Sequence, residues 1–310
     1  EIKEKYGRYI LIPSRFGNLN PLSNKNFIEH MKELNFIENK IDLEWWQGFN
    51  EHSLKIFNSF KDLIPKLSSF FKSYSIIIRP HPSESEDSWE EIQKKHPNVF
   101  IDSSYEIGNW ILGADAIIHN GCTTGFESYL MGKNVYAYMP VSSKEYDVHL
   151  PNELSKKVSS SKEIFNDVIR STSSARKEDI KKIKLAKENL ENSDVDKYAF
   201  RKIGNLLCSK NLDFKEVSLN DLRKSKFTKV ISFLRYLRFL ISIRLNSRNK
   251  FIVRLFGDSY SYKKLPRLNK KEILESLKRF SSQVDINLGE LKIEKLDEDF
   301  FLIEKFKSNF

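Results

Sequence analysis

His119-Asn120-Gly121-Cys122-Thr123-Thr124-Gly125-Phe126-Glu127-Ser128 is the stretch that decides the fold. It follows a short apolar run at 114–118 that reads as a buried strand, and it opens into a helical pattern over 125–131. A strand that empties into a Gly- and Thr-rich turn at a helix start is a natural anion site. The first backbone N–H groups there lack intrahelical acceptors, and the helix dipole is positive. Upstream, the apolar run 75–78 reads as another buried strand and ends in Arg79-Pro80-His81-Pro82. A cationic Arg/His pair on a neighbouring strand end would face the same crevice. Together the two segments point to a phosphorylated ligand.

Outward from this pair, strands and helices alternate. Residues 9–13 read as a strand ending in Ser14-Arg15-Phe16-Gly17, 99–101 as a short strand, and 134–139 as the last strand before Pro140. Helical spacing marks 24–34, 88–95, 105–112, 124–131 and 161–170. It also marks 49–74, where Pro65 predicts a kink or a break near Ile64. Residues 145–160 read as a loop, and 175–208 as one long polar helix or two. The pattern predicts an α/β fold: a Rossmann-like parallel sheet with helices on both faces. Ligands of such sheets sit beyond the carboxyl ends of the strands. Residues 14–17, 79–82, 119–124 and 140–144 all fall there, with Asp147 and Asn152 in the loop beside them.

At 310 residues the chain can bury a sizeable core as one large or two modest domains. Cys122 and Cys208 are its two cysteines, too few for a disulfide framework and without zinc spacing, so a reducing compartment and no metal are expected. The opening residues hold no signal-peptide core and no initiator Met, which suggests the carboxy-terminal portion of something longer.

The net charge of +10 is carried by residues 209–310, where 23 Lys/Arg face 13 Asp/Glu, while residues 1–208 balance to zero. The expected division is therefore 1–208, the nucleotide-binding domain, and 209–310, a basic and mainly helical C-terminal region. Segment 222–254 holds ten basic residues and no acidic one. Within it, 227–245 reads as an amphipathic helix that Arg235 and Arg238 keep short of the roughly 20 apolar residues of a bilayer span. Such a helix suits an anionic membrane surface. No helix-turn-helix, zinc-finger or RNP pattern accompanies the charge, so nucleic acid is not the expected partner. Residues 269–280 read as a helix and 291–303 as a small β element.

The Arg79–Pro82 motif followed by the His119–Ser128 stretch resembles the nucleotide-sugar half of GT-B-fold enzymes that build bacterial surface polysaccharides. Closest are surface carbohydrate (capsule and lipopolysaccharide) biosynthesis proteins. Kdo transferases, bacterial sialyltransferases and CDP-glycerol glycerophosphotransferases are more distant relatives. The resemblance covers about residues 6–160. It implies a glycosyltransferase that moves a sugar from a nucleotide donor, CMP-linked, to a lipid-linked glycan acceptor, on the inner face of the cell membrane and without a metal. It assigns His81, Thr123 and Thr124 to the phosphate, Glu127 to the ribose, and to His81 the catalytic role of stabilising the leaving phosphate. Ser14, Arg15, Arg79, Asn120, Gly121 and Gly125 complete the expected nucleotide site. A UDP-sugar 2-epimerase, or a non-catalytic nucleotide-binding subunit, are the rival expectations.

Each motif also has a plainer reading. Thr123 and Thr124 could serve only as a helix N-cap, and Glu127 as a first-turn partner of the dipole. His119 is expected to hold the turn, and Cys122 to pack.

Overall fold

The computed structural model describes residues 1–21, 26–171, 179–190, 269–283, 291–295 and 301–305. The chain divides into two units, Glu1–Leu206 and Leu207–Phe310.

In the first unit the strands are β1 (Tyr9–Pro13), β2 (Ser75–Arg79), β3 (Val99–Ile101), β4 (Ala116–His119), β5 (Val135–Tyr138) and β6 (Lys156–Val158). They form one six-stranded sheet in the order β3-β2-β1-β4-β5-β6, parallel throughout. The chain thus starts in the middle of the sheet, winds outward to β3, and returns to the other side of β1 as β4. This is a Rossmann-like α/β fold, and its strand order reverses between β1 and β4.

Both faces of the sheet are covered, which explains why the strands read as unbroken apolar runs. Side chains alternate between faces. Ile10, Ile12, Ile76, Ile78, Ala116 and Ile118 join one core with Phe57, Phe60, Ile64 and Leu67. Tyr9, Leu11, Ile77 and Ile117 join the other with Trp110 and Ile111. The first core rests on α3 (Lys40–Phe70) and the second on α5 (Ile107–Gly113). Among the described residues of the unit, the remaining helices are α1 (Ile2–Tyr6), α2 (Phe27–Glu33), α4 (Asp87–Lys95), α6 (Thr123–Leu130), α7 (His149–Leu154), α8 (Ser161–Ser171) and α9 (Ile180–Asn189).

Two expectations are corrected. Helix α3 runs unbroken for 31 residues through Pro65, and it starts well before residue 49, at a capping box between Asn39 and Asp42. Leu63, Ile64 and Leu67 are almost wholly buried around the proline, so packing on the sheet outweighs the lost hydrogen bond. Residues 145–160 are not merely a loop. They hold α7 and a sixth strand, β6, so that β5 is not the last. β6 is a three-residue edge strand carrying two exposed lysines, a protected edge that shows no apolar alternation.

The second unit contains α10 (Lys270–Gln283) and an antiparallel pair, β7 (Leu291–Lys295) with β8 (Phe301–Lys305). The basic segment 222–254, its amphipathic stretch 227–245, and most of 175–208 lie outside the described residues. Among the described residues no helix is long and apolar enough to cross a membrane.

Candidate functional site

The parallel sheet brings the carboxyl ends of β1, β2 and β4 side by side. Pro13 lies opposite Arg79, and β1 pairs with β4 on its other flank. Arg15 therefore meets Gly121 at the strand-order reversal, with Arg79-Pro80-His81 at the carboxyl end of β2.

Two guanidinium groups converge on the start of α6. Arg15 donates from Nη1 to the Gly121 carbonyl. Arg79 donates from Nη2 to the Tyr105 carbonyl at 3.0 Å, while its buried Nε has no hydrogen-bond partner. Tyr105 adopts φ 61°, a left-handed conformation that an aromatic residue rarely occupies. Burial lowers the pKa of both arginines, offset in part by the attraction of Asp147 for Arg15 and of Asp102 and Glu127 for Arg79. Among the described residues neither forms an ion pair. Glu127, half-buried on α6, is pushed up by burial and pulled down by Arg79.

The start of α6 is uncapped. Its N-cap is Cys122, and no side chain accepts from the first turn, so the capping role considered for Thr123 and Thr124 is not what they do. The Cys122 thiol donates to the Thr124 hydroxyl at 3.3 Å. Thr124 is buried, while Thr123 is exposed.

The turn before α6 is held from beneath. Gly121 sits at φ 54° and donates its N–H to Asn152 Oδ1 at 2.8 Å. The Asn120 amide donates to the Tyr138 carbonyl at 2.9 Å, tying β4 to β5. His119 is fully buried. The Cys122 N–H donates to its Nδ1 at 3.4 Å, and its Nε2 lies 2.7 Å from Ser155 Oγ. Since that hydroxyl gives its own proton to the Pro151 carbonyl, Nε2–H is the donor and the ring is neutral. His119 is thus part of the scaffold, as the sequence suggests.

Burial, followed by the repulsion of Arg15, lowers the His119 pKa to about 3. The folded protein then resists protonating a ring that the unfolded chain protonates near pH 6.5. This ring's contribution to stability is complete above pH 6.5. It falls by about 1.4 kcal/mol per pH unit as the pH drops from there toward 3. The His119 ring resonances should therefore stay constant in an NMR titration from pH 7.5 to 5. A shift with a midpoint near 6.5 would contradict this.

Gly125 exists for the same ring: a Cβ at this position would overlap the His119 imidazole. On an open helix, Gly→Ala stabilises by up to about 1 kcal/mol. Gly125→Ala should do the opposite and cost about 1–3 kcal/mol in urea unfolding.

The other expected residues divide. Ser14 is buried, and its hydroxyl donates to Glu84 at 2.6 Å, so it braces the strand end. His81 is exposed; its Nδ1 accepts from the Ser83 N–H at 3.2 Å, which places the ring proton on Nε2.

Sequence reasoning missed Glu84 and His52. Glu84 is 1% exposed and accepts from Ser14, from Trp89 Nε1 at 2.9 Å and from the Phe16 N–H at 3.1 Å. His52 on α3 pairs with Asp147 at 2.8 Å. Together with Arg15, Phe49, Asn120 and Tyr146, it lines a small recess at the crevice. Asp147 in turn accepts from the Ser143 N–H at 2.8 Å, fixing the loop after β5. His52 and Asp147 lie far apart in sequence, and nothing in their local spacing signals the pair.

The chain matches no protein-family model, and no curated protein matches it. The class of molecule is therefore defined by fold and site alone: a Rossmann-like α/β domain with a cationic crevice at its strand-order reversal.

Proposed function

We propose that this chain is the donor-binding half of a GT-B glycosyltransferase of bacterial surface polysaccharide assembly. In this reading it takes a nucleotide sugar, CMP-linked, and passes the sugar to a lipid-linked glycan. The observation that carries the reading is the convergence of Arg15 and Arg79, part-buried and without carboxylate partners, on the uncapped start of α6. Asp147 near Arg15, and Asp102 and Glu127 near Arg79, attract these cations without forming an ion pair, which leaves part-buried guanidinium donors for an anion to complete. Helix-start amides add donors aimed at the same place.

The phosphate rests against the Thr123 and Thr124 amides and the Arg79 guanidinium. The exposed His81 ring, with its proton on Nε2, donates to the leaving phosphate. Glu127 lies one turn along α6, where it takes the ribose hydroxyls. Fixed donors of this kind stabilise charge as it develops on the leaving group. The basic segment 222–254 holds the enzyme at an anionic membrane surface, where the acceptor lies.

Calorimetric titration with CMP, CDP and UDP tests the reading. At least one should bind, with CMP or CDP tighter than UDP. No heat from any of the three, with the fold intact, would end the proposal.

A further inference from the structure

Beside the crevice, a cleft of about 410 Å³ opens at the carboxyl ends of β5 and β6. That volume falls within the range of small-molecule sites. Ser142, Ser143 and Lys144 from the loop after β5, His149 and Asn152 from α7, and Lys157 from β6 line it.

Asn152 joins this cleft to the phosphate turn. It is 2% exposed, and its Oδ1 accepts the Gly121 N–H, which fixes which end of the amide faces which way. Its Nδ2 is then a buried donor with no hydrogen-bond partner. Leaving such a group unsatisfied is costly, and native proteins rarely accept that cost without a reason. An acceptor supplied by a ligand in the cleft would be one.

The chemistry of the lining decides which ligand. Lys144 and Lys157 would favour an anion, but Asp147 and Glu153 share the same walls, and Lys157 is already paired with Glu153. Hydroxyls, an amide, ammonium groups and carboxylates together offer donors and acceptors in alternation. A polyhydroxylated group, whose every hydroxyl both donates and accepts, fits that set better than a second phosphate. We infer that the cleft is the subsite for the sugar of the bound nucleotide sugar. Asn152 then shapes the phosphate turn through Oδ1 and donates to a sugar oxygen through Nδ2. The inference rests on the nucleotide-sugar reading above.

The test titrates the full chain with CMP-N-acetylneuraminate, CDP-glycerol, UDP-glucose and UDP-N-acetylglucosamine, each against its free nucleotide. Asn152→Asp keeps an acceptor for Gly121 and removes the Nδ2 donor; Lys144→Ala alters an exposed wall and leaves the core alone. At least one conjugate should bind more tightly than its nucleotide. That ratio should fall about tenfold in Asn152→Asp and about threefold in Lys144→Ala. If Asn152→Asp does not fold, the Lys144→Ala ratio alone decides. Nucleotide binding without any gain from the conjugated group, or a gain that survives the variants, overturns the subsite while the nucleotide site stands. No binding by nucleotide or conjugate overturns both.

Discussion

Glu84→Ala should cost this protein about 3 kcal/mol or more, among the largest losses available to a single side chain outside the apolar core. The carboxylate lies almost fully buried where the loops after β1 and β2 meet, and burial raises its pKa against the pull of its donors. Removing it strands the Ser14 hydroxyl, the Trp89 indole N–H and the Phe16 amide together. Glu84→Gln should cost less, about 1–3 kcal/mol. The amide orientation that keeps Ser14 and Trp89 satisfied turns an NH2 group against the Phe16 N–H. Urea unfolding of both variants, followed by tryptophan fluorescence, reads the order directly. An alanine variant within 1 kcal/mol of wild type would show that Glu84 does not hold the strand ends.

Arg79→Met separates binding from stability. A partly desolvated guanidinium without a carboxylate partner is a cost to the folded chain, and only one backbone carbonyl accepts from it. Replacing it with an apolar side chain of similar length should leave stability unchanged or slightly raised. Nucleotide affinity should fall at least about 30-fold, because a charge-assisted hydrogen bond to phosphate is worth about 2 kcal/mol. Such opposed signs are typical of a residue kept for function. A variant that loses stability and binds nucleotide normally would make Arg79 a structural residue and remove the main support for the phosphate reading.

Much of this fold was legible because its strands are buried on both faces. Residues 76–78 and 116–118 are continuous apolar runs, and each ends in a polar turn, so both the strands and their carboxyl ends could be read. The same logic puts Arg15, Arg79 and Gly121 on one rim. What escaped notice lacks local periodicity. β6 is too short and too charged to signal a strand, and α3 keeps its helix through a proline because of the packing beneath it. Glu84 and His52 gain their meaning from partners on other elements, which no spacing rule reaches. The threonines show the converse: a residue pair suited to capping sits at a helix start and does not cap it.

The most direct measurement of the central claim is a crystal structure of the full chain soaked with CMP. Phosphate oxygens should lie within hydrogen-bond distance of the Thr123 and Thr124 amides and of Arg79, with the ribose toward Glu127. CMP ordered at any other place on the domain, with this crevice unoccupied at saturating nucleotide, would contradict it.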